Sequence, residues 1–154
     1  VSTPPSGSGR VVSARSEHPA AVPADRLRAA LADYAGARRD AMPAAYSQYR
    51  VEAGGTGEGT RVGWRFQATK KRVRDQLVEV SEAADGALVE SDTRSSMVTR
   101  WTVAPAGASA STVVALTTWK GAGGVGGFFE RTFAPRGLQR TTAELVANLE
   151  RALR

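Results

Sequence analysis

The groups in this sequence that could move a proton or hold a ligand are few. Among 154 residues there is no cysteine and a single histidine, which sets aside thiol nucleophiles, disulfide frameworks, zinc ribbons and multi-histidine metal centres. No metal and no cofactor are expected. His18 is the one imidazole available as a general base, and it stands just before Pro19 with no carboxylate spaced to orient it. A histidine so placed reads more readily as a strand-end hydrogen bonder. Paired carboxylates are the other route to acid/base work. If Asp85-Gly86 is a two-residue turn, Ala84 opposes Ala87, which sets Glu79 opposite Asp92 and Ser81 opposite Glu90. Like charges are unfavourable opposite one another on a sheet, and these side chains fall on the face assigned to water, so no catalytic pair is expected.

Two runs look chemical at first sight. Gly121-Ala122-Gly123-Gly124-Val125-Gly126 spells a G-x-G-x-x-G fingerprint between a strand pattern and a helix pattern. That fingerprint needs a following parallel strand with an acidic residue for the ribose, and only helical pattern follows Gly126, so the segment reads as a connection. Lys70-Lys71-Arg72-Val73-Arg74 is the densest basic run and falls at a hairpin tip. Arg61 and Arg65 on the outer face could extend it toward a nucleic acid, but the aromatic neighbours Trp64 and Phe66 are assigned inward. A solvated hairpin is favoured, and nucleic acid is not an expected partner.

The elements that must position these residues follow from periodicity. Residues 1–10 are Ser, Gly and Pro with little to bury and read as a disordered tail; 11–154 reads as one domain. Val11 to His18 alternates as a strand that Pro19 stops. Ala24 to Tyr34 then carries Leu27, Leu31 and Tyr34 at helical spacing, and Gly36 to Ala41 is a second short helix. Six strand-like runs come next: Tyr46 to Ala53, Thr60 to Thr69, Arg72 to Glu82, Ala87 to Arg94, Met97 to Ala104 and Ser111 to Lys120. Their short connections require antiparallel pairing. Gly127 to Arg154 is a long helix, bent at Pro135, with Phe129, Phe133, Leu138, Thr142, Leu145 and Leu149 on one stripe. The predicted class is α+β, a seven-stranded antiparallel sheet packed on a long C-terminal helix.

The proline-led helix Val22-Pro23-Ala24-Asp25-Arg26-Leu27 onward, and the ending Thr118-Trp119-Lys120-Gly121 through Phe128-Phe129-Glu130-Arg131, resemble the START-like, helix-grip (SRPBCC) superfamily. The closer resemblance is to the bacterial polyketide cyclase/dehydrase and lipid-transport family. Arg28 stands where that family's first helix has a tryptophan. The resemblance implies a curved sheet wrapped around the C-terminal helix, with a cavity between them. It also implies that the loop bearing Gly121, Gly123, Gly124, Gly126 and Gly127 lies at the cavity entrance.

Alternation supplies the inward set. It places Tyr49 and Val51, then Val62, Trp64, Phe66 and Ala68, then Val78 and Val80 toward the helix. Val89, Ser91 and Thr93 follow, then Met97, Thr99, Trp101 and Val103, and finally Val113, Ala115, Thr117 and Trp119. Large aromatics mixed with Ala, Ser and Thr suit a pocket better than a dense core. The candidate ligand-binding residues are Tyr49, Trp64, Phe66, Met97, Thr99, Trp101, Thr117 and Trp119 from the sheet, with Phe129, Phe133, Thr142 and Leu145 from the helix. Arg15 and Arg100 could hold an anionic head group only if turned inward, and Arg100 alternates outward.

With so few acid/base groups, the composition leans toward binding a hydrophobic small molecule or lipid-like ligand. The alternative is a cyclase/aromatase-type enzyme on a polyketide-like substrate, with His18, Thr99, Thr117 or Tyr49 moving protons. A third reading is a nucleic-acid or ribosome-associated module. The net charge of +6 is scattered along the chain, and no run approaches the roughly 20 apolar residues of a membrane span. A cytoplasmic protein is expected.

Overall fold

The computed structural model describes residues 11–69, 72–120 and 135–154. The tail 1–10, Lys70 and Lys71, the glycine-rich segment from Gly121 and the phenylalanines Phe129 and Phe133 lie outside the described residues. Strand β1 is Val11–Ala20, followed by helices α1 (Ala24–Leu31) and α2 (Ala37–Ala41). Then come β2 (Tyr46–Ala53), β3 (Arg61–Thr69), β4 (Arg72–Glu82), β5 (Leu88–Asp92), β6 (Val98–Pro105), β7 (Ser111–Lys120) and helix α3 (Pro135–Ala152). The strands form one antiparallel sheet in the order β1-β7-β6-β5-β4-β3-β2, the expected α+β helix-grip architecture. Of the helix expected over 127–154, Pro135–Ala152 is helical; residues 127–134, and with them the expected bend, lie outside the described residues.

Three local departures from the expected pattern shape the interior. Pro19 does not end β1, which runs on to Ala20 with Pro19 opposite Thr112. As β1 is an edge strand, the missing N–H of Pro19 costs the sheet no ladder bond. Helix α1 ends at Leu31, short of Tyr34. The chain after it is tied instead to the β2–β3 loop, with Ala35 N–H donating to Gly55 O at 3.1 Å and Gly57 N–H to Ala32 O at 3.0 Å. Tyr34 is thereby turned fully inward.

The third departure is in register. The β4–β5 loop has three residues, Ala84, Asp85 and Gly86: Ala83 N–H bonds to Ala87 O at 2.9 Å, and Gly86 sits at φ 87°. Val78 then faces Asp92 and Val80 faces Glu90. The expected pairing of Glu79 with Asp92 and Ser81 with Glu90 is corrected by one residue, which reverses the faces of β5. Glu90 and Asp92 are buried, whereas Val89 and Ser91 are only half-buried and Thr93 is exposed.

On β3, β4, β6 and β7 alternation holds. Val62, Trp64 and Phe66, Val78 and Val80, Trp101, and Val113, Ala115, Thr117 and Trp119 all bury on the face covered by the helices. Leu138, Leu145, Val146 and Leu149 close the core from α3.

Candidate functional site

A cavity of about 60 Å³ lies between the inner sheet face, the end of α2 and α3. Its aromatic wall is Trp64, Trp101 and Tyr46, and its sheet floor includes Val78, Met97, Thr99 and Thr117. From above it is bounded by Leu138, Thr141, Thr142 and Leu145 of α3, and from one end by Arg38, Met42 and Pro43. The remaining lining side chains are Gln76, Glu90 and Asp92.

A bulge sets the aromatic wall. In β2, Ser47 pairs with Arg65 but Arg50 pairs with Gly63, so β2 holds one extra residue, and Gln48 there takes φ 52°. Tyr46 and Tyr49, three apart, consequently both reach Trp64, one edge-on at 5.7 Å between ring centroids and the other stacked at 6.0 Å. Unbroken alternation from Tyr49 directs Tyr46 outward, which is why sequence reasoning passed it over.

At the end of the cavity nearest α2 a buried ion pair is locked in place. Arg38 and Glu90 are 2% and 6% exposed, so neither charge has water to fall back on. Arg38 clasps the carboxylate with both terminal nitrogens, Nη2 to Oε1 at 3.3 Å and Nη1 to Oε2 at 3.0 Å. Tyr34 Oη donates to Oε2 at 2.6 Å and Trp101 Nε1 to Oε1 at 3.0 Å. The guanidinium also lies over the Tyr34 and Trp101 rings, about 5 Å from each centroid, and Nη1 donates to Leu31 O. Burial is the largest influence on Arg38 and works against its charge, but the Glu90 carboxylate together with Tyr34 and Tyr49 outweighs it and holds the guanidinium protonated more firmly than usual. Burial pushes the phenols of Tyr34, Tyr46 and Tyr49 well above their ordinary range, with Glu90 adding to the effect and Arg38 opposing it.

Further along the floor, Gln76 accepts from Trp64 Nε1 at 2.8 Å and turns its amide nitrogen to Met97 Sδ at 3.5 Å. The Thr99 and Thr117 hydroxyls bond to each other at 2.9 Å. Asp92 accepts from Ser95 Oγ at 2.6 Å and from the backbone N–H groups of Leu77 and Arg94, which fixes the β5–β6 turn.

Of the residues singled out from the sequence, Trp64, Met97, Thr99, Trp101, Thr117, Thr142 and Leu145 line this cavity. Tyr49, Phe66 and Trp119 do not. Tyr49 backs Trp64 and donates to Tyr34 O at 2.7 Å, Phe66 packs on Tyr46, and Trp119 is buried on β7. His18 also lies outside the lining; its Nε2 is buried with no hydrogen-bond partner among the described residues. Phe129, Phe133 and the glycines from Gly121 fall outside the described residues. Sequence reasoning missed Arg38, Tyr46, Gln76, Glu90 and Asp92. Only the alternation Leu88-Val89-Glu90 after a glycine-ended loop carried a usable signal, and it depended on the loop's length. Among the described residues no group of acidic or imidazole side chains could hold a metal.

The sequence profile described as polyketide cyclase/dehydrase and lipid transport matches residues 11–154. The chain belongs to this polyketide cyclase/dehydrase and lipid-transport family. Among solved structures it is similar to the KanY protein, at 45% identity over 94% of this chain and 98% of that one, with a TM-score of 0.81. More distant members of the fold include the Zhui aromatase/cyclase from Streptomyces sp. R1128, at 15% identity and TM-score 0.69, covering 94% and 97% of the two chains. Norcoclaurine synthase from Thalictrum flavum is similar at 14% identity and TM-score 0.68, with the same coverage. Among curated proteins none matches. In this family member the described cavity places its ionisable groups at the wall, already engaged by neighbouring side chains.

Proposed function

We propose that this family member binds an apolar small molecule or lipid-like ligand in the cavity between the sheet and α3. The observation that carries the reading is the make-up of the lining: flat aromatic walls from Tyr46, Trp64 and Trp101 face short hydroxylated side chains at Thr99, Thr117 and Thr142. Such a mixture leaves room and scattered hydrogen bonds where a plain core would be filled. A cavity of about 60 Å³ is well below the roughly 300 Å³ that encloses a drug-sized ligand, so binding a ligand of that size needs the cavity to widen, as by α3 lifting off the sheet. Native mass spectrometry after gentle purification, with titration of fluorescent polycyclic and fatty-acid probes, tests it. A co-purified hydrophobic ligand or saturable probe uptake supports the reading; a protein that stays empty and takes up none of the probes sinks it.

A second reading, a cyclase/aromatase-type enzyme on the same cavity, is favoured by Glu90 and Asp92 in the lining, carboxylates that the expected hairpin register had turned toward water. Catalysis would then be lost in Asp92→Asn with ligand uptake retained; an unaltered protein that turns over no polyketide-like substrate counts against the reading, and unchanged turnover in Asp92→Asn counts against Asp92 as its acid or base.

A further inference from the structure

We propose that the end of the sheet where β4 and β1 begin and β7 ends is a docking rim for an anionic lipid surface. The rim lies outside the cavity lining and stands independently of the ligand-binding reading.

It is a continuous row of side chains. Arg74, near the start of β4, reaches the β5–β6 turn, where its Nη2 donates to Arg94 O at 3.4 Å. Two residues on, Ser96 Oγ accepts the backbone N–H of Lys120, the last residue of β7, at 2.9 Å. Lys120 in turn stands opposite Val11, the first residue of β1. From β4 through β5, β6 and β7 to β1 the strands are successive neighbours, so the row is about 19 Å long at about 4.8 Å per strand.

Two properties meet on this row. Arg94 and Lys120 are exposed, and neither has an ion-pair partner among the described residues. The nearby carboxylates are already committed: Asp75 is held by Arg65 at 3.1 Å, and Asp92 is buried in its turn. At the far end of the sheet the arginines are matched instead, Arg28 by Glu82 and Arg100 by Asp85. The second property is apolar. Among the described residues the large hydrophobic side chains left exposed are Val11 and Val73, at 66% and 44%, and both stand on the rim.

Unpaired cations interleaved with exposed aliphatic side chains fit a bilayer interface, where lipid phosphates take the cations and the acyl boundary takes the valines. A nucleic acid offers the valines nothing, and the rings on which its bases would stack, Trp64, Phe66 and Trp119, are buried on the inner face. A row one side chain deep also falls short of the roughly 800 Å² per partner of a stable protein interface. The contact is peripheral, since no described helix is long and apolar enough to cross a membrane.

The test is flotation of the full chain with vesicles of phosphatidylcholine alone and of phosphatidylcholine with about one-third phosphatidylglycerol, at low and at physiological salt. Binding is expected only to the anionic vesicles and should weaken as salt rises. Arg94→Gln with Lys120→Gln should weaken it about tenfold or more. Arg61→Gln with Arg65→Gln removes as many charges from the outer sheet face and should change it less than about threefold, because carboxylates already balance both. Val11→Ser with Val73→Ser should weaken binding severalfold at either salt concentration. The rim positions substituted are all exposed, so these variants should keep the parent's urea midpoint. Equal binding to neutral vesicles, binding to neither kind, or an equal loss in the two charge-removed pairs overturns the proposal. Valine variants that bind as the parent does overturn it too, and leave the cations to an anionic macromolecule such as RNA or an acidic protein.

Discussion

At the scale of single residues the interior is governed by Arg38 and Glu90. Each is tolerable inside only because the other is there, and removing one leaves an uncompensated buried charge. Arg38→Met is expected to lower unfolding free energy by about 3–5 kcal/mol, measured by urea denaturation. Glu90→Gln should cost a comparable amount, because it leaves the buried Arg38 charge unpaired and turns an amide NH2 toward side chains that donate. A second expectation concerns the tyrosines. The chain has three, Tyr34, Tyr46 and Tyr49, and all are held protonated beyond their ordinary range, chiefly by burial. A phenol raised in the folded state contributes stability that is complete below the unfolded value near 10 and is lost as pH rises above it. Absorbance near 295 nm should therefore show no tyrosinate in the native protein around pH 10, and tyrosinate should appear only with cooperative alkaline unfolding. A smooth three-tyrosine titration centred on pH 10 with the fold intact would contradict it. Little of this pair was legible beforehand: in Ala37-Arg38-Arg39-Asp40-Ala41 nothing local separates the buried Arg38 from its exposed neighbour Arg39. Packing of Tyr34 and Trp101 against one guanidinium and not the other is a tertiary fact.

At the scale of elements, the antiparallel sheet type could be read from the short connections and the inward faces of β3, β4, β6 and β7 from alternation, since an inward apolar set pins the register, whereas the place of β1 beside β7 could not. What could not be read was where a loop gains a residue. Asp85-Gly86 suits both a two-residue and a three-residue hairpin, and the three-residue form, with Gly86 in the left-handed region, carries Glu90 and Asp92 from water to cavity. The extra residue at Gln48 has the same consequence for Tyr46. The glycines that permit these turns differ in what surrounds them. At Gly86 an added Cβ meets nothing within 4 Å, so Gly86→Ala should cost only the backbone strain of positive φ, about 1 kcal/mol. At Gly54, with φ 69°, the Cβ would stand 2.8 Å from the Thr60 Cα, a backbone atom that cannot swing aside. Gly54→Ala should therefore cost more, about 2–3 kcal/mol, and loosen the loop that ties Tyr34 inward. Equal denaturation midpoints for the two variants would refute that distinction.

At the scale of the whole molecule, several surface arginines are neutralised locally by carboxylate neighbours, although such pairs leave the net charge of +6 itself unchanged. On the outer surface Arg15 pairs with Glu17, Arg28 with Glu82, Arg61 with Glu79, Arg65 with Asp75 and Arg100 with Asp85. Arginines paired in this way offer little to a phosphate backbone, so RNA should bind no tighter than about 10⁻⁶ M at physiological salt. The interior is where a ligand would have to be accommodated, and there stability and capacity oppose each other along α3. Leu145 lines the cavity, whereas Leu149, one turn on and fully buried, does not. Shortening either to alanine removes the same atoms from the core and should cost about 2–5 kcal/mol. The two variants part company in ligand uptake. Leu145→Ala adds its lost volume to a cavity of about 60 Å³, and so removes part of the work of lifting α3 for a polycyclic probe. Its probe affinity should rise even as its denaturation midpoint falls, while Leu149→Ala should lose stability with no gain in affinity. If both lose stability and neither gains affinity, the space under α3 is a packing gap, and a ligand, if there is one, sits elsewhere.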